Sequence, residues 1–166
     1  MKKLFCIILI IILMACTACQ QESAKPLNIV TVYYRAPELT FGTADGVITP
    51  YMLDATGHEG DIEYLLNAYF ANAQSGNYAD TFPSGTRLVS VSLDALTAKV
   101  VLCDEFAELS GLNLTIACAG ITQTVISLTG CQEVIISAET VQLDGNNFIT
   151  LSSDSYLLLD ESGGAD

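Results

Sequence analysis

The stretch from residue 82 to residue 138 constrains the fold most strongly, because its hydrophobic pattern changes period twice. It opens with two runs rich in β-branched residues, Arg87–Leu93 and Ala98–Cys103. A short connection separates these runs, so together they predict a β-hairpin. A long apolar segment over residues 112–128 predicts a helix, and the apolar run Val134–Ile136 predicts a last strand.

Both helices predicted for the chain have recognisable sequence signals. The long one has Ser110 as its candidate N-cap and Gly130 placed to end it. Its residues are apolar on nearly every side, so we expect it to be the more buried helix. The other helix follows Asp61, where apolar residues recur with the spacing of one helical face: Ile62, Leu65, Leu66, Tyr69, Phe70 and Ala73.

The order of elements predicts the fold class. With an N-terminal strand at Ile29–Tyr34, the order is β-α-β-β-α-β. This order predicts an α+β fold in which two helices cover one face of a single small sheet. Residues 42–53 are expected to form a loop and a small hairpin. Beyond Ala138, we expect an additional hairpin at a sheet edge, drawn from the runs Val141–Leu143, Phe148–Leu151 and Tyr156–Leu159.

The N-terminus has the pattern of an exported lipoprotein. Met1–Lys3 is basic, and Leu4–Leu13 is an unbroken apolar run that is shorter than the roughly 20 residues needed to span a bilayer. The following Leu13-Met-Ala-Cys16 resembles the bacterial lipobox, in which cleavage precedes a cysteine whose thiol carries diacylglycerol. Cys16 is therefore the predicted lipidation site, and Cys19 is a second candidate with a poorer match. An ordinary secretory signal with incidental cysteines is the alternative.

These features divide the chain into five parts. They are a lipoprotein signal peptide (1–15), a tether (16–27), a folded domain (28–139), C-terminal extension strands (140–160) and an acidic tail (161–166) predicted to be disordered. The net charge is −13, and a cut before Cys16 leaves only Lys25, Arg35, Arg87 and Lys99 to oppose 19 acidic residues. Such a surface repels nucleic-acid phosphates and anionic headgroups. We therefore expect no nucleic-acid partner and a membrane attachment made by lipid alone.

No segment carries a recognisable catalytic pattern. His58 is the only histidine, and acidic residues surround it in the sequence from Asp54 to Glu63. One interpretation is a divalent metal site. The other, which we favour because the spacing matches no calcium motif, is a solvated loop whose carboxylates complement the start of the first helix. The chain also lacks a Gly-x-Ser-x-Gly elbow and a phosphate-binding glycine loop, so we predict no enzyme activity, no metal and no cofactor.

Three cysteines, Cys103, Cys118 and Cys131, lie in the predicted domain. Exported proteins usually pair their cysteines, and Cys103 and Cys131 could form a bridge if the strands beside them are neighbours. Free thiols are the alternative. Cys118 lies in the middle of the long helix, so we expect it to be buried as a small hydrophobic residue.

Six segments in succession resemble the GerMN domain, the sporulation and spore-germination domain of Gram-positive bacteria. The resemblance covers residues 29–138 and is carried by Thr31–Tyr34, Pro83–Leu88, Val89–Ser92, Ala98–Val101, Asp104–Phe106 and Val134–Ile136. It implies a fold similar to the ring-building motifs of spore and secretion-system assemblies. It also implies a lipoprotein or membrane-tethered envelope protein without catalytic residues.

The leading functional prediction is a non-enzymatic, lipid-anchored protein at the outer face of the plasma membrane. Its GerMN-like domain would bind an envelope protein or assemble with itself. Sporulation or germination is the process that the resemblance implies. The alternative is a lipoprotein that binds cell-wall glycan or a small ligand in an aromatic groove, for which the candidates are Tyr33, Tyr34, Tyr51 and Tyr78.

Overall fold

The computed structural model describes residues 27–37, 39, 46–73 and 81–153. Within these ranges the strands are β1 (Ile29–Arg35), β2 (Ile48–Asp54), β3 (Leu88–Asp94), β4 (Thr97–Leu102), β5 (Glu133–Ala138) and β6 (Ile149–Ser152). The helices are α1 (Ile62–Ala73) and α2 (Gly111–Thr129), with a short 3-10 helix at Asp104–Glu108. The signal peptide, Cys16, Cys19, Tyr78, the run Tyr156–Leu159 and the acidic tail lie outside the described residues.

Both predicted helices are present close to their predicted bounds. The buried face of α1 consists of the predicted apolar stripe from Leu65 to Ala73. Asp61 Oδ1 accepts a hydrogen bond from the Tyr64 backbone N–H, which satisfies one free donor of the first turn. Gly130 ends α2 in the left-handed region at φ 71°, where its N–H donates to the Ile126 carbonyl.

The α+β class is confirmed, but the strands form two sheets where the sequence predicted one. β1 and β2 pair antiparallel, and the other sheet has the order β3-β4-β5-β6, in which only the β4–β5 pair is parallel. β1 does not join the larger sheet because side chains fill its second edge. The Tyr33 N–H donates to Thr124 Oγ1, and the Arg35 N–H donates to Thr81 Oγ1.

One local prediction is corrected, and a second is confirmed in part. Residues 48–54 form one continuous strand and not the strands of a small hairpin, and Pro50 lies within that strand. Its missing N–H costs no ladder bond, because the backbone of this residue faces away from β1. Near the other end of the described chain, β6 joins the edge of the larger sheet, as expected for the run Phe148–Leu151, while Leu143 and Asn146 pair across a tight turn. The run Tyr156–Leu159, the remaining candidate for the C-terminal hairpin, lies outside the described residues.

The helix α2 forms the centre of the domain. It is long and apolar enough to cross a membrane, but 56% of its most apolar window is buried inside the protein. One side of α2 packs on β1, and another packs on β5 and β6. These contacts make α2 a core helix that joins the two sheets, as its nearly continuous apolar surface predicted.

Candidate functional site

The structure places His58 against an aromatic ring. The imidazole stacks on Tyr64, with ring centroids 3.4 Å apart and planes 6° from parallel. The neighbouring carboxylates have structural roles: Asp61 caps α1, and Asp54 accepts hydrogen bonds from Thr56, which lower the pKa of Asp54. Among the described residues, no group of three His, Cys, Asp or Glu side chains is arranged to hold a metal ion.

A groove with a volume of about 600 Å³ separates β2 from α1. Residues 51–54 of β2 form one wall, and the other wall is one flank of α1: Tyr64, Ala68, Ala71 and Asn72. Residues spaced by three and four positions share a helix face, so this flank is continuous. It adjoins the buried stripe without belonging to it, and its two alanines leave space beside the strand.

Side chains of β2 alternate between the two faces of the first sheet. Tyr51 and Leu53 point inward and pack against the core. Met52 and Asp54 point to the opposite face, and the Met52 side chain is 75% exposed. Two strand residues therefore line the inner part of the groove, and two form its outer rim.

The outer edge of β2 carries unpaired backbone groups within the described structure. Two backbone hydrogen bonds, from the Ala36 N–H to the Val47 carbonyl and from the Ala55 N–H to the Asn28 carbonyl, show which residues of the two strands are hydrogen-bonded to each other. The backbone groups of the odd-numbered residues of β2 bond to β1, and those of the even-numbered residues face away from it. The N–H groups of Met52 and Asp54 and the carbonyl of Pro50 therefore point outward along the groove.

The four tyrosines singled out from the sequence have different positions. Tyr34 is completely buried and its ring stacks on Tyr69. Its hydroxyl donates a hydrogen bond to the Tyr69 carbonyl, so Tyr34 forms part of the core. Tyr33 is half-buried in a small cluster with Ile48 and Ile116. Tyr51 does line the groove, and Tyr78 lies outside the described residues.

Tyr64 also lines the groove and was not singled out from the sequence. The signal that identifies it is its position in α1: it is an aromatic residue that falls off the apolar stripe of an amphipathic helix. Such a residue remains on the surface, and the Tyr64 side chain is 43% exposed.

The three cysteines of the domain are free and buried, so a Cys103–Cys131 bridge is not formed. The parallel β4–β5 pair explains why. Cys103 follows the last residue of β4, whereas Cys131 precedes the first residue of β5, so they lie at opposite ends of the pair. Six residues of strand span roughly 20 Å, and a disulfide needs Cα atoms closer than about 7 Å.

Burial makes the thiols of Cys103 and Cys118 poor nucleophiles. It raises the pKa of Cys118 to about 12, and it also raises the pKa of Cys103. At pH 8 we expect iodoacetamide to leave Cys118 unmodified in the native protein and to modify it after unfolding, because only the thiolate reacts. Peptide mapping by mass spectrometry measures this at each cysteine. Modification of Cys118 at equal rates in folded and unfolded protein would contradict its burial.

Comparisons with known proteins give likenesses of fold. No family model and no curated protein matches the chain. Its structure is similar to that of a candidate lipoprotein from Clostridium perfringens, with 18% identity and a TM-score of 0.46, over 76% of this chain and 88% of that one. It is also similar to the first GerMN domain of the sporulation protein GerM from Bacillus subtilis, with 16% identity and a TM-score of 0.43, over 70% of this chain and 91% of that one. The predicted resemblance to a GerMN domain lipoprotein is thus confirmed as a likeness of fold.

Proposed function

We propose that the protein is a non-enzymatic lipoprotein of the outer face of the plasma membrane, whose domain binds another protein of the cell envelope. The groove between β2 and α1 carries the binding role, because it combines apolar walls with an open strand edge. The lipobox at Cys16 supports the anchor. The GerMN resemblance of the sequence supports a role in sporulation or germination.

The titratable groups support a role without catalysis. The carboxylates of Asp54 and Asp104 have lowered pKa values because threonine residues donate hydrogen bonds to them. The thiols of Cys103 and Cys118 have raised pKa values. A carboxyl group that acts as a catalytic acid needs a raised pKa, and a thiol that acts as a nucleophile needs a lowered pKa. These four groups are therefore suited to structural roles.

The anchor is tested by replacing Cys16 with serine in the native host. In the wild-type protein we expect an N-terminus at Cys16 that carries diacylglycerol, measured by mass spectrometry of the membrane fraction. In Cys16→Ser that lipid mass and that cleavage should both be lost, because serine has no thiol to acylate. Cys19→Ser is the matched control and should be processed like the wild type. Lipid found on Cys19, or an unmodified wild-type N-terminus, would show that Cys16 is not the anchor.

The binding role is tested by crosslinking from the groove. A photoreactive amino acid at Met52 lies on the groove rim, and one at Phe148 lies on an exposed site that does not line the groove. We expect Met52 to give a discrete crosslinked protein in intact cells and Phe148 to give none of that species. The mass of the product separates a foreign partner from a second copy of this chain. Equal patterns from both positions would contradict a binding role for the groove.

The groove also supports a second candidate function, the binding of cell-wall glycan or a small ligand. The rings of Tyr51 and Tyr64 lie in it together with the carboxylate of Asp54 and the amide of Asn72. Apolar rings with a few polar groups are typical of ligand sites. Binding of purified peptidoglycan fragments, lost in Tyr64→Ala, is the result expected from this alternative.

A further inference from the structure

We infer that the groove takes an extended peptide segment with basic side chains, which adds to β2 as a third strand of the first sheet. This inference rests on the proposed protein-binding function, since it names the binding mode and the chemistry of the partner. Strand addition supplies affinity through backbone hydrogen bonds and specificity through alternate side chains.

Backbone geometry supports β2 as the accepting edge. The N–H groups of Met52 and Asp54 point outward, as does the carbonyl of Pro50, so donors and acceptors alternate along the edge. The second edge of β1 is already bonded to Thr124 and Thr81. Within the described residues, β2 is therefore the edge of the first sheet that can take another strand.

The edges of the larger sheet are less suited to strand addition. β3 has an irregularity between Leu88 and Ser90, and such bulges disturb pairing at an edge. β6 has only four residues. Neither edge strand contributes a residue to the groove, whereas β2 supplies one of its two walls.

The two faces of an added strand would meet different chemistry. Its inward side chains would lie over Ala68 and Ala71, whose methyl groups leave room for side chains of valine or leucine size. Its outward side chains would lie beside Met52 and Asp54, because neighbouring strand residues point to the same face. The expected partner thus alternates apolar and basic residues.

Charge favours a basic partner. Asp54 lies on the rim, and none of the described Lys or Arg side chains lines the groove. The basic side chains of the described residues lie elsewhere: Arg35 donates to Asn113, Arg87 pairs with Glu105 at 3.6 Å, and Lys99 lies on β4. A segment carrying lysine or arginine would therefore be attracted to Asp54 and would meet no repulsion from the described basic side chains.

Fluorescence anisotropy of the full-length lipidated protein in detergent micelles tests the inference. The probe is a short, labelled peptide of alternating valine and lysine, compared with a version carrying glutamate for lysine. Two further versions carry N-methyl groups on one or the other alternate set of backbone nitrogens. We expect the lysine peptide to bind more tightly at low salt, the glutamate peptide not to bind, and only one methylated version to lose binding. Methylation of only one set of nitrogens should abolish binding, because a strand forms hydrogen bonds to a sheet edge through the backbone groups of alternate residues.

Matched variants tie the binding to the groove. Ala68→Arg should weaken binding of the lysine peptide at least about tenfold, because the side chain fills the groove and repels lysine. Asn67→Arg adds the same charge at an exposed position of α1 that does not line the groove, and it should change binding less than about twofold. Circular dichroism checks that both variants are folded.

Three outcomes would overturn strand addition. The first is equal binding of both methylated peptides, and the second is unchanged binding to Ala68→Arg. The third is binding of peptidoglycan fragments with no binding of any peptide, which would assign the groove to glycan. If crosslinking from Met52 still identifies a protein partner while every peptide fails, the protein-binding function stands and the binding mode proposed for it is wrong.

Discussion

Replacing Phe106 with alanine is expected to lower the free energy of unfolding by about 3–5 kcal/mol, because it leaves a cavity in the core. Phe106 is completely buried and lies in the 3-10 helix that follows β4. Its ring is 6.2 Å from that of Phe82, which in turn lies 5.1 Å from Phe70 and 5.5 Å from Tyr69 of α1. This cluster connects the hairpin of the larger sheet to the helix beside the groove.

Urea unfolding followed by circular dichroism measures the loss. Phe148→Ala is the matched control, because the Phe148 side chain is 57% exposed and its loss should cost no more than about 0.5 kcal/mol. Similar losses in both variants would show that the aromatic cluster does not hold the domain together.

Gly120→Val is expected to destabilise the domain by about 2–4 kcal/mol, since it overpacks the core and disturbs a buried hydrogen bond. Gly120 lies where α2 touches β1. A Cβ atom there would lie 3.0 Å from the Tyr33 carbonyl oxygen and 3.4 Å from the Tyr69 hydroxyl. The Tyr69 hydroxyl donates a hydrogen bond of 2.7 Å to the Tyr33 carbonyl. A larger side chain at position 120 must therefore displace the strand or the helix, or break this hydrogen bond.

The same unfolding measurement compares this variant with Ser127→Val, an exposed position on α2. Serine and valine have similar helix propensities, so this exposed control should change the free energy of unfolding by no more than about 0.5 kcal/mol. Gly120→Ala should fall between the two. A Gly120→Val protein as stable as the Ser127→Val control would show that the close approach of helix and strand is not needed.

Elements set by local pattern were predictable from the sequence. The stripe from Leu65 to Ala73 predicted the buried face of α1. Gly130 marked the end of α2, because a residue with positive φ is needed there. The two runs around residues 94–97 predicted the β3–β4 hairpin, whose pairing is local in the chain.

The groove was predictable only in part. Tyr51 was a candidate from its aromatic character, but the choice among four tyrosines depended on which of them the core would bury. Tyr34 lies on the same strand as Tyr33 and is fully buried, since α1 covers that face of the first sheet. The opening beside Met52 depends on the distance between β2 and α1, and residue patterns carry no information on that distance.

The sequence by itself determined the α+β class, both helices and the central hairpin, because hydrophobic periodicity and helix-ending residues act between near neighbours in the chain. The tertiary structure alone decided the division into two sheets, the separation of Cys103 from Cys131, and the open edge of β2. Each depends on contacts between distant segments. Thr124 lies far along the chain from Tyr33, yet its hydroxyl occupies the edge of β1 that would otherwise have continued the sheet.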